Sequence, residues 1–276
     1  MRKTQIYILS NNTPGRQGFG SEHGLSILIL MDRDTCWLWD TGQSSLFLKS
    51  AEILGLDLTK LKGVALSHGH YDHTDGLSNL IYEAGFNGPI YAHSDFAVDR
   101  FKIQKGSVPK PIGLNKDVLP WPLSRFVAVS NFLEIANGLT MISKIPRRPG
   151  LYQSVDGFYF DAEKRRPDTV EDDACLVLRS AAGPILILGC CHSGLANTFY
   201  QVRDLLGIKQ IFSIIGGLHL IDALESGLQE TVRVLREFSV QQIYPCHCTG
   251  EKSTNFLKKQ QPGQVCDIGT GTVIEF

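Results

Sequence analysis

Short apolar runs alternate along the chain with polar segments that contain glycine, proline or histidine. Apolar, β-favouring runs of this length predict strands at residues 6–9, 26–31, 35–39, 63–66, 89–92, 174–178, 184–188, 210–215 and 242–244. Helices are predicted at about 45–54 and 77–84, where Gly55 and Gly85 would end them, and an amphipathic helix at about 222–238. This alternation of strands and helices predicts an α/β fold.

The middle of the chain, at about 95–170, is less regular. It contains seven prolines: Pro109, Pro111, Pro120, Pro122, Pro146, Pro149 and Pro167. We expect short strands and long loops there, close to a functional site, because long loops in compact domains often carry function. A polar turn at Asp32, Arg33 and Asp34 predicts a hairpin between the strands at 26–31 and 35–39, and residues 266–276 predict a last hairpin or edge strand.

Histidines follow four of the predicted strands at the point where each strand ends. The strand at 63–66 leads to His68, His70 and His73, and the strands at 184–188, 210–215 and 242–244 lead to His192, His219 and His247. Sites in open α/β sheets form beyond the carboxyl ends of strands, so we expect these loops to converge. His93 stands alone after the strand at 89–92 and is expected to be an ordinary structural side chain.

The loop after the strand at 63–66 is the strongest chemical signal in the sequence. His68, His70, Asp72 and His73 place four metal-binding side chains within six residues. In an extended loop, His68 and His70 can turn to one ion, while the adjacent Asp72 and His73 diverge, so the loop can serve two ions about 3.5–4 Å apart. Imidazole and carboxylate groups suit zinc, iron or manganese.

This loop, His68-Gly69-His70-Tyr71-Asp72-His73, resembles the His-x-His-x-Asp-His signature of the metallo-β-lactamase superfamily. Asp40-Thr41-Gly42 is similar to the upstream aspartate motif of that superfamily. Further segments resemble one branch, the dihydropterin-type proteins related to the ribofuranosylaminobenzene 5′-phosphate synthase of methanopterin biosynthesis; they are residues 22–26, 189–194, 216–219 and 245–250. The resemblance implies one domain over residues 1–276, folded as an αββα sandwich of two mixed sheets with outer helices and metals at one edge.

The sequence departs from the hydrolytic members at two positions. They usually carry a third histidine before a strand pair and a bridging aspartate at a Gly-Asp step, whereas this chain has Asp172-Asp173 and Gly189-Cys190-Cys191-His192. From the resemblance we expect His68, His70 and His192 to hold one ion, and Asp72, His73 and His247 to hold a second. Whether Asp173 or a cysteine next to a predicted ligand (Cys191, Cys246 or Cys248) also binds metal stays open at this point.

The resemblance implies a metal-dependent hydrolase with two zinc ions, with iron or manganese as alternatives. A metal-bound hydroxide would attack a small ester-type substrate, with phosphorylated esters among the candidates. Asp72 is the candidate catalytic acid–base group. We expect Asp40 to accept the free ring N–H of a ligand histidine, and His219 and His23 to line the substrate pocket.

The sequence leaves two alternative functions open. A ligand-binding or sensory protein could retain the metal scaffold without catalysis. An iron-dependent oxidoreductase is disfavoured because flavodiiron members usually carry glutamate where this chain has His70. Arg147-Arg148 and Arg165-Arg166 are either phosphate-binding pairs or solvated surface pairs.

Composition narrows the range of partners. The chain has 276 residues with 27 basic and 28 acidic side chains, and this balance argues against nucleic acid as a partner. No apolar run reaches the 18 or more residues of a transmembrane helix, so no membrane association is expected. The apolar start is too short for a signal peptide, and the seven cysteines include no CxxC pair, so we expect reduced thiols in the cytoplasm. The oligomeric state stays open.

Overall fold

The computed structural model describes residues 4–32, 35–119, 125–260 and 264–276. Its strands are β1 Gln5–Ser10, β2 Ser26–Asp32, β3 Thr35–Trp39, β4 Leu61–Ala65, β5 Ile90–Ala92, β6 Phe101–Lys102, β7 Lys110–Pro111, β8 Phe126–Ala128, β9 Phe132–Ala136, β10 Leu139–Ile142, β11 Phe158–Tyr159, β12 Cys175–Ser180, β13 Gly183–Leu188, β14 Ser213–Gly216, β15 Gln242–Pro245 and β16 Val273–Glu275. Its α-helices are α1 Leu46–Ile53, α2 Tyr71–Thr74, α3 Leu77–Tyr82, α4 Leu195–Leu206, α5 Glu225–Glu237 and α6 Glu251–Gln260.

Most strands form two mixed sheets. The first has the order β16-β1-β2-β3-β4-β5-β8 and is antiparallel from β16 to β3 and parallel from β3 to β8. The second has the order β15-β14-β13-β12-β10-β9, in which β13, β14 and β15 are parallel to one another. The predicted α/β fold with two mixed sheets is therefore confirmed.

Side-chain alternation along the strands explains the layers. In β2, Ile27 and Ile29 belong to the buried cluster between the sheets, which Ile187 of β13 also enters. Leu28 points the other way and packs in the cluster that contains Phe47 of α1. The outer face of the second sheet packs in the same manner against α4 and α5. Because the central strands are apolar on both faces, the helices cover the two outer surfaces and give an αββα arrangement.

Several details of the sequence prediction hold and others do not. β2 and β3 form the predicted hairpin, although Arg33 and Asp34 of its turn lie outside the described residues. Gly55 follows α1 with a φ of 68° and its N–H donates to the Glu52 carbonyl, as a glycine that ends a helix does. The tail forms β16, an edge strand paired with β1.

The predicted loop after β4 is extended at His70 and then contains a short helix. Residues Tyr71–Thr74 form one helical turn, and Thr74 Oγ1 donates to the carbonyl oxygen of His70. The sequence prediction also missed α4 and α6. Only two side chains of α6, Ser253 and Leu257, are buried, so this helix has almost no apolar periodicity to detect.

The irregular middle contributes more sheet structure than its prolines indicated. β8 extends the first sheet, and β9 and β10 extend the second. A third sheet with the order β11-β6-β7 forms from two-residue strands, which are too short for periodicity to reveal. Pro120 and Pro122 lie outside the described residues.

No helix in the described parts of the chain has the length and apolar character needed to cross a bilayer.

Substitution of Phe199 tests the packing of the second sheet against its helices. The Phe199 ring is fully buried in α4, and its centroid lies 4.8 Å from that of Phe238. We expect Phe199→Ala to lower the free energy of unfolding by about 3–5 kcal/mol in urea denaturation, because it leaves a cavity. Tyr82→Ala, at a side chain that is 63% exposed, is the control and should change it by less than about 0.5 kcal/mol. A loss below about 1 kcal/mol for Phe199→Ala would contradict this packing.

Candidate metal centre

The carboxyl ends of four strands from both sheets meet at one edge of the sandwich. β4 leads to His68, β13 to His192, β14 to His219 and β15 to His247. Side chains at these strand ends form two main groups of possible metal ligands. Within each group, the ligand atoms lie within 4.8 Å of one another. The strand ends that the sequence singled out therefore converge, since parallel neighbours end at the same side of a sheet.

The first group consists of His68, His70 and His192, all buried. His68 Nε2 lies 2.9 Å from His70 Nδ1, and the His192 ring centroid lies 4.8 Å from that of His68. The Nε2 atoms of His70 and His192 are buried and have no hydrogen-bond partner among the described residues. Burial holds the pKa of all three imidazoles well below the usual range, so they are neutral, which is the form that binds metal.

The second group consists of Asp72, His73, Cys190 and His247. His73 Nε2 lies 3.1 Å from Cys190 Sγ and 3.2 Å from His247 Nε2, and Asp72 Oδ2 lies 3.3 Å from His247 Nε2. Burial alone would raise the pKa of Asp72, but His73 and His247 lower it well below its usual range. Burial lowers the pKa of His247 to about 4, and burial raises that of the Cys190 thiol.

The histidine rings are held from outside the two groups. Three of them donate Nδ1–H to an oxygen atom: His73 to Asp40 Oδ2, His192 to the carbonyl of Ser154, and His247 to Asn12 Oδ1. These bonds fix the tautomer and leave Nε2 to face the other ligand atoms. Converging nitrogen, oxygen and sulfur atoms with oriented rings fit divalent metal ions such as zinc.

Asp40 lies beside the second group, in contact with His73. Its buried carboxylate accepts from Ser67 N, Ser67 Oγ and His73 Nδ1, each at 2.7 Å. Burial by itself lowers the pKa of His73, but the carboxylates of Asp40 and Asp72 outweigh it and raise that pKa to about 9. Asp40 thus orients the His73 ring, and its negative charge favours a proton or a metal ion at Nε2.

Asp172 and Asp173 lie outside every group of ligand atoms found among the described residues. Asp172 Oδ2 accepts from the backbone N–H of Gly69 at 2.8 Å, and Asp173 Oδ2 accepts from that of Ser193 at 2.7 Å. Gly69 is required there because a Cβ atom would lie 1.8 Å from the carbonyl oxygen of Phe96. The two aspartates therefore hold the backbone of the histidine loops.

A buried arginine connects these supports and was missed in the sequence. Arg100 is 2% exposed, and its guanidinium lies 2.9 Å from Asp172 Oδ1 and 3.2 Å from Asp168 Oδ2. No local pattern marks Arg100, because its partners lie about seventy residues away in the chain.

Four of the eight non-glycine residues with positive φ in the described parts of the chain lie at the same edge. Asp40, Cys191, His219 and His247 have φ between 44° and 59°, in the left-handed region that residues with a Cβ atom seldom adopt. Each such residue costs on the order of 1–3 kcal/mol and is typical of functional sites.

A pocket of about 300 Å³ opens onto the two groups, and both His23 and His219 line it. His23 is half-exposed at 55%, and its Nε2 lies 3.3 Å from Asp72 Oδ2. His219 Nδ1 lies 2.7 Å from Ser154 Oγ, and burial lowers its pKa to about 4. His93 is in neither group and instead caps the turn that follows it by accepting from Asp95 N.

Two lysines, Lys102 and Lys110, line this pocket. The aromatic ring of Phe158 lines it as well. Lys102 Nζ lies 4.0 Å from the Phe158 ring centroid, and Lys110 Nζ lies 5.2 Å from that of Tyr71. The sequence analysis named neither lysine, because both come from the small third sheet, which it did not predict.

The arginine pairs bind protein groups instead. Arg147 donates to Ser193 Oγ and the Val170 carbonyl, and Arg148 pairs with Asp204. Arg165 and Arg166 pair with Asp161. None of the four lines this pocket, and Arg165 and Arg166 are exposed, as in a solvated surface pair.

Cys190 is the cysteine whose sulfur lies among the possible ligand atoms. The sequence analysis considered Cys191, Cys246 and Cys248 instead. Cys191 Sγ lies 3.5 Å from Thr198 Oγ1 in the core, and Cys248 Sγ lies 3.6 Å from the Cys190 carbonyl oxygen. The position of Cys190 in the sequence could have identified it as a candidate ligand. It follows Gly189, where hydrolytic relatives were expected to carry a bridging aspartate.

Known proteins resemble this chain along nearly its whole length. Residues 20–196 match the family model of the metallo-beta-lactamase superfamily. The 7,8-dihydropterin-6-methyl-4-(beta-D-ribofuranosyl)-aminobenzene-5′-phosphate synthase of Methanocaldococcus jannaschii is 28% identical, over 99% of this chain and 96% of that protein. Uncharacterized protein MJ0448 of the same organism is 30% identical, over 92% of this chain and 94% of its own length.

A solved structure supports the same relationship. Tm1679, described as a metal-dependent hydrolase of the beta-lactamase superfamily, superposes with a TM-score of 0.84. It is 27% identical, and the match covers 99% of each chain.

Removal of the buried arginine tests the support of the histidine loops. We expect Arg100→Met to lower the free energy of unfolding by about 3–5 kcal/mol, because Asp168 and Asp172 would stay buried without their cation. Arg165→Met is the matched control, since its side chain is 72% exposed and its ion pairs should contribute less than about 1 kcal/mol. Equal stability of the two variants in urea denaturation would refute this role of Arg100.

Proposed function

Since this chain belongs to the metallo-β-lactamase superfamily, we propose that it is a metal-dependent hydrolase that acts on small anionic ester-type molecules. The observation that carries the proposal is the pair of adjoining ligand groups at one pocket. In this proposal His68, His70 and His192 hold one ion, and Asp72, His73 and His247 hold the other. Zinc is the proposed metal, with iron and manganese as alternatives compatible with nitrogen and carboxylate donors.

Two zinc ions bound there would lower the pKa of a coordinated water and stabilise the negative charge that develops on the reacting centre. The protein supplies the orientation, because Asp40, Asn12 and the Ser154 carbonyl keep three histidine rings in place. A rigid, largely buried set of ligands of this kind needs little reorganisation during the reaction.

Asp72 is proposed to orient the attacking water during the reaction. Its carboxylate is ionised because nearby histidines hold its pKa low, so Oδ2 can accept a hydrogen bond from an attacking water and orient it. The half-exposed ring of His23 lies 3.3 Å from this oxygen and connects it to the mouth of the pocket. A proton released by that water can then pass to a leaving group.

Lys102 and Lys110 favour an anionic substrate. No ion pair joins either lysine to a carboxylate in the described residues, although Lys102 donates to the Asp156 carbonyl at 2.6 Å and the Asp222 carboxylate lines the same pocket. Burial lowers the pKa of Lys102, and a bound anion would offset this effect. The name of the 28% identical relative includes a 5′-phosphate, which agrees with a phosphorylated substrate.

A second candidate function follows from the same relative, whose name is that of a synthase. In that case the site would join two molecules instead of adding water to one. Turnover in H₂¹⁸O with a panel of phosphorylated esters, thioesters, lactones and phosphodiesters separates the two. Hydrolysis incorporates ¹⁸O into a product, whereas a joining reaction does not draw the new oxygen from the solvent.

Metal content tests the ligand groups directly. We expect about two zinc ions per chain by ICP-MS, and loss of at least one in His70→Ala and in His192→Ala. His93→Ala is the matched control, because His93 is buried but lies outside both groups, and it should retain both ions. One ion or none after reconstitution would contradict the two-metal proposal and favour a ligand-binding protein. Iron as the native metal would favour the oxidoreductase.

Removal of a pocket cation tests the substrate class. We expect Lys110→Met to raise KM for a phosphorylated ester about five- to tenfold with kcat unchanged, because the exposed lysine binds a group that does not react. Lys116→Met is the control, since Lys116 pairs with Asp99 and does not line this pocket. An unchanged KM would argue against an anion at Lys110.

A further inference from the structure

We propose that Asn12 is a positioning residue that fixes the tautomers of two histidines at once, with the proton of His247 on Nδ1 and that of His23 on Nε2. His23 then donates a hydrogen bond to Asp72 at the mouth of the pocket. The inference rests on the proposed function, because Asp72 and His247 belong to the second ligand group. It does not depend on the number or the identity of the metal ions.

The side-chain amide of Asn12 lies between the two imidazole rings. Its Oδ1 lies 2.8 Å from His247 Nδ1, and its Nδ2 lies 3.3 Å from His23 Nδ1. The ring centroids of the two histidines are 5.1 Å apart. One short side chain therefore contacts the Nδ1 atom of both rings.

Two backbone groups identify which end of this amide is the oxygen. The N–H of Gly24 can only donate, and its nitrogen lies 3.3 Å from Asn12 Oδ1. The carbonyl oxygen of His247 can only accept, and it lies 3.5 Å from Asn12 Nδ2. A flipped amide would oppose donor to donor at Gly24 and acceptor to acceptor at His247, so the surroundings of Asn12 fix its orientation.

The two ends of the amide require opposite tautomers in the two rings. Oδ1 can only accept, so His247 carries its proton on Nδ1 and keeps the lone pair on Nε2. Nδ2 can only donate, so His23 Nδ1 is an acceptor and the ring carries its proton on Nε2.

The Nε2–H group of His23 is directed at Asp72. His23 Nε2 lies 3.3 Å from Asp72 Oδ2, and the same oxygen lies 3.3 Å from His247 Nε2. A hydrogen bond from His23 therefore holds this oxygen from the side of the pocket mouth, where the His23 side chain is 55% exposed. Groups that orient a ligand carboxylate in this way contribute to the affinity of a metal site.

Asn11 anchors the segment that carries Asn12. Asn11 is buried, and its Oδ1 accepts from the backbone N–H of His247 at 2.9 Å. Its carbonyl oxygen accepts from the backbone N–H of Glu22 at 3.1 Å. The backbones that carry His247 and His23 are therefore both tied to the segment of Asn11 and Asn12.

Gly24 allows the loop of His23 to approach Asp72 closely. A Cβ atom at Gly24 would lie 2.8 Å from the carbonyl oxygen of Asp72. The next residue, Leu25, donates its backbone N–H to that carbonyl oxygen at 3.1 Å. The distance between His23 and Asp72 is thus set by the backbone and not by the side chains alone.

Exchange of the amide end that faces His23 tests the tautomers. Asn12→Asp keeps the shape of the side chain and the acceptor for His247 but replaces the donor to His23 by an acceptor. In the full-length protein labelled with ¹⁵N-histidine, two-bond ¹H–¹⁵N correlation spectra distinguish a ring nitrogen that carries a proton from one that does not. We expect the wild type to have His247 protonated on Nδ1 and His23 on Nε2, and Asn12→Asp to gain a proton on His23 Nδ1 with His247 unchanged. Loss of signals in His23→Gln assigns the ring.

Asn255→Asp is the matched control for the added charge. Asn255 and Asn12 line the same cavity of about 340 Å³ beside His247, but no hydrogen bond joins Asn255 to either ring in the described parts of the chain. Both rings should keep their wild-type tautomers in this variant. A protonated His23 Nδ1 in the wild type, or an unprotonated one that persists in Asn12→Asp, would overturn the inference. The same change in Asn255→Asp would also overturn it, because charge alone would then explain the effect.

Zinc affinity distinguishes the failure of this inference from the failure of the proposed function. Loss of a group that orients a ligand lowers metal affinity by about ten- to hundredfold, and we expect this loss in Asn12→Leu but not in Asn255→Leu, measured by chelator competition. Wild-type zinc affinity in Asn12→Leu would overturn the positioning role of Asn12 alone. A wild type that binds no zinc would overturn the proposed function, while the spectra of the same metal-free protein would still decide the tautomers.

Discussion

The mutual approach of buried ligand atoms is the constraint on which the rest of this structure depends. His73 Nε2 faces Cys190 Sγ and His247 Nε2 at 3.1 and 3.2 Å, and His68 Nε2 faces His70 Nδ1 at 2.9 Å. Buried nitrogen lone pairs that face one another are unfavourable without a shared proton or cation. The remainder of the molecule must therefore hold these groups together, and their nitrogen, oxygen and sulfur atoms fit a bound metal ion.

Several parts of the fold together hold these ligand atoms in place. The apolar core between the two sheets fixes the strands, and their carboxyl ends deliver the ligands from four places in the sequence. Around them, Asp40 orients His73, while Asp172, itself paired with Arg100, holds the backbone at Gly69. Strained residues at the same strand ends show that the geometry is maintained against local backbone preference.

Much of this arrangement could be predicted from the sequence because it is encoded locally. Apolar runs that end in histidine identified the strand ends, and the spacing of His68, His70, Asp72 and His73 identified the loop that supplies most of the candidate ligands. The supports could not be predicted, since Arg100 meets Asp168 and Asp172 only in the folded chain. The pocket lysines lie on two-residue strands, and the position of Cys190 depends on which of two adjacent cysteines turns away from the core.

The most direct test of the two-metal centre is anomalous diffraction from crystals of the zinc-loaded protein at the zinc absorption edge. The proposed two-metal function predicts two anomalous peaks about 3.5–4 Å apart, one among His68, His70 and His192 and the other among Asp72, His73 and His247. A single peak, or peaks away from these side chains, would contradict the account.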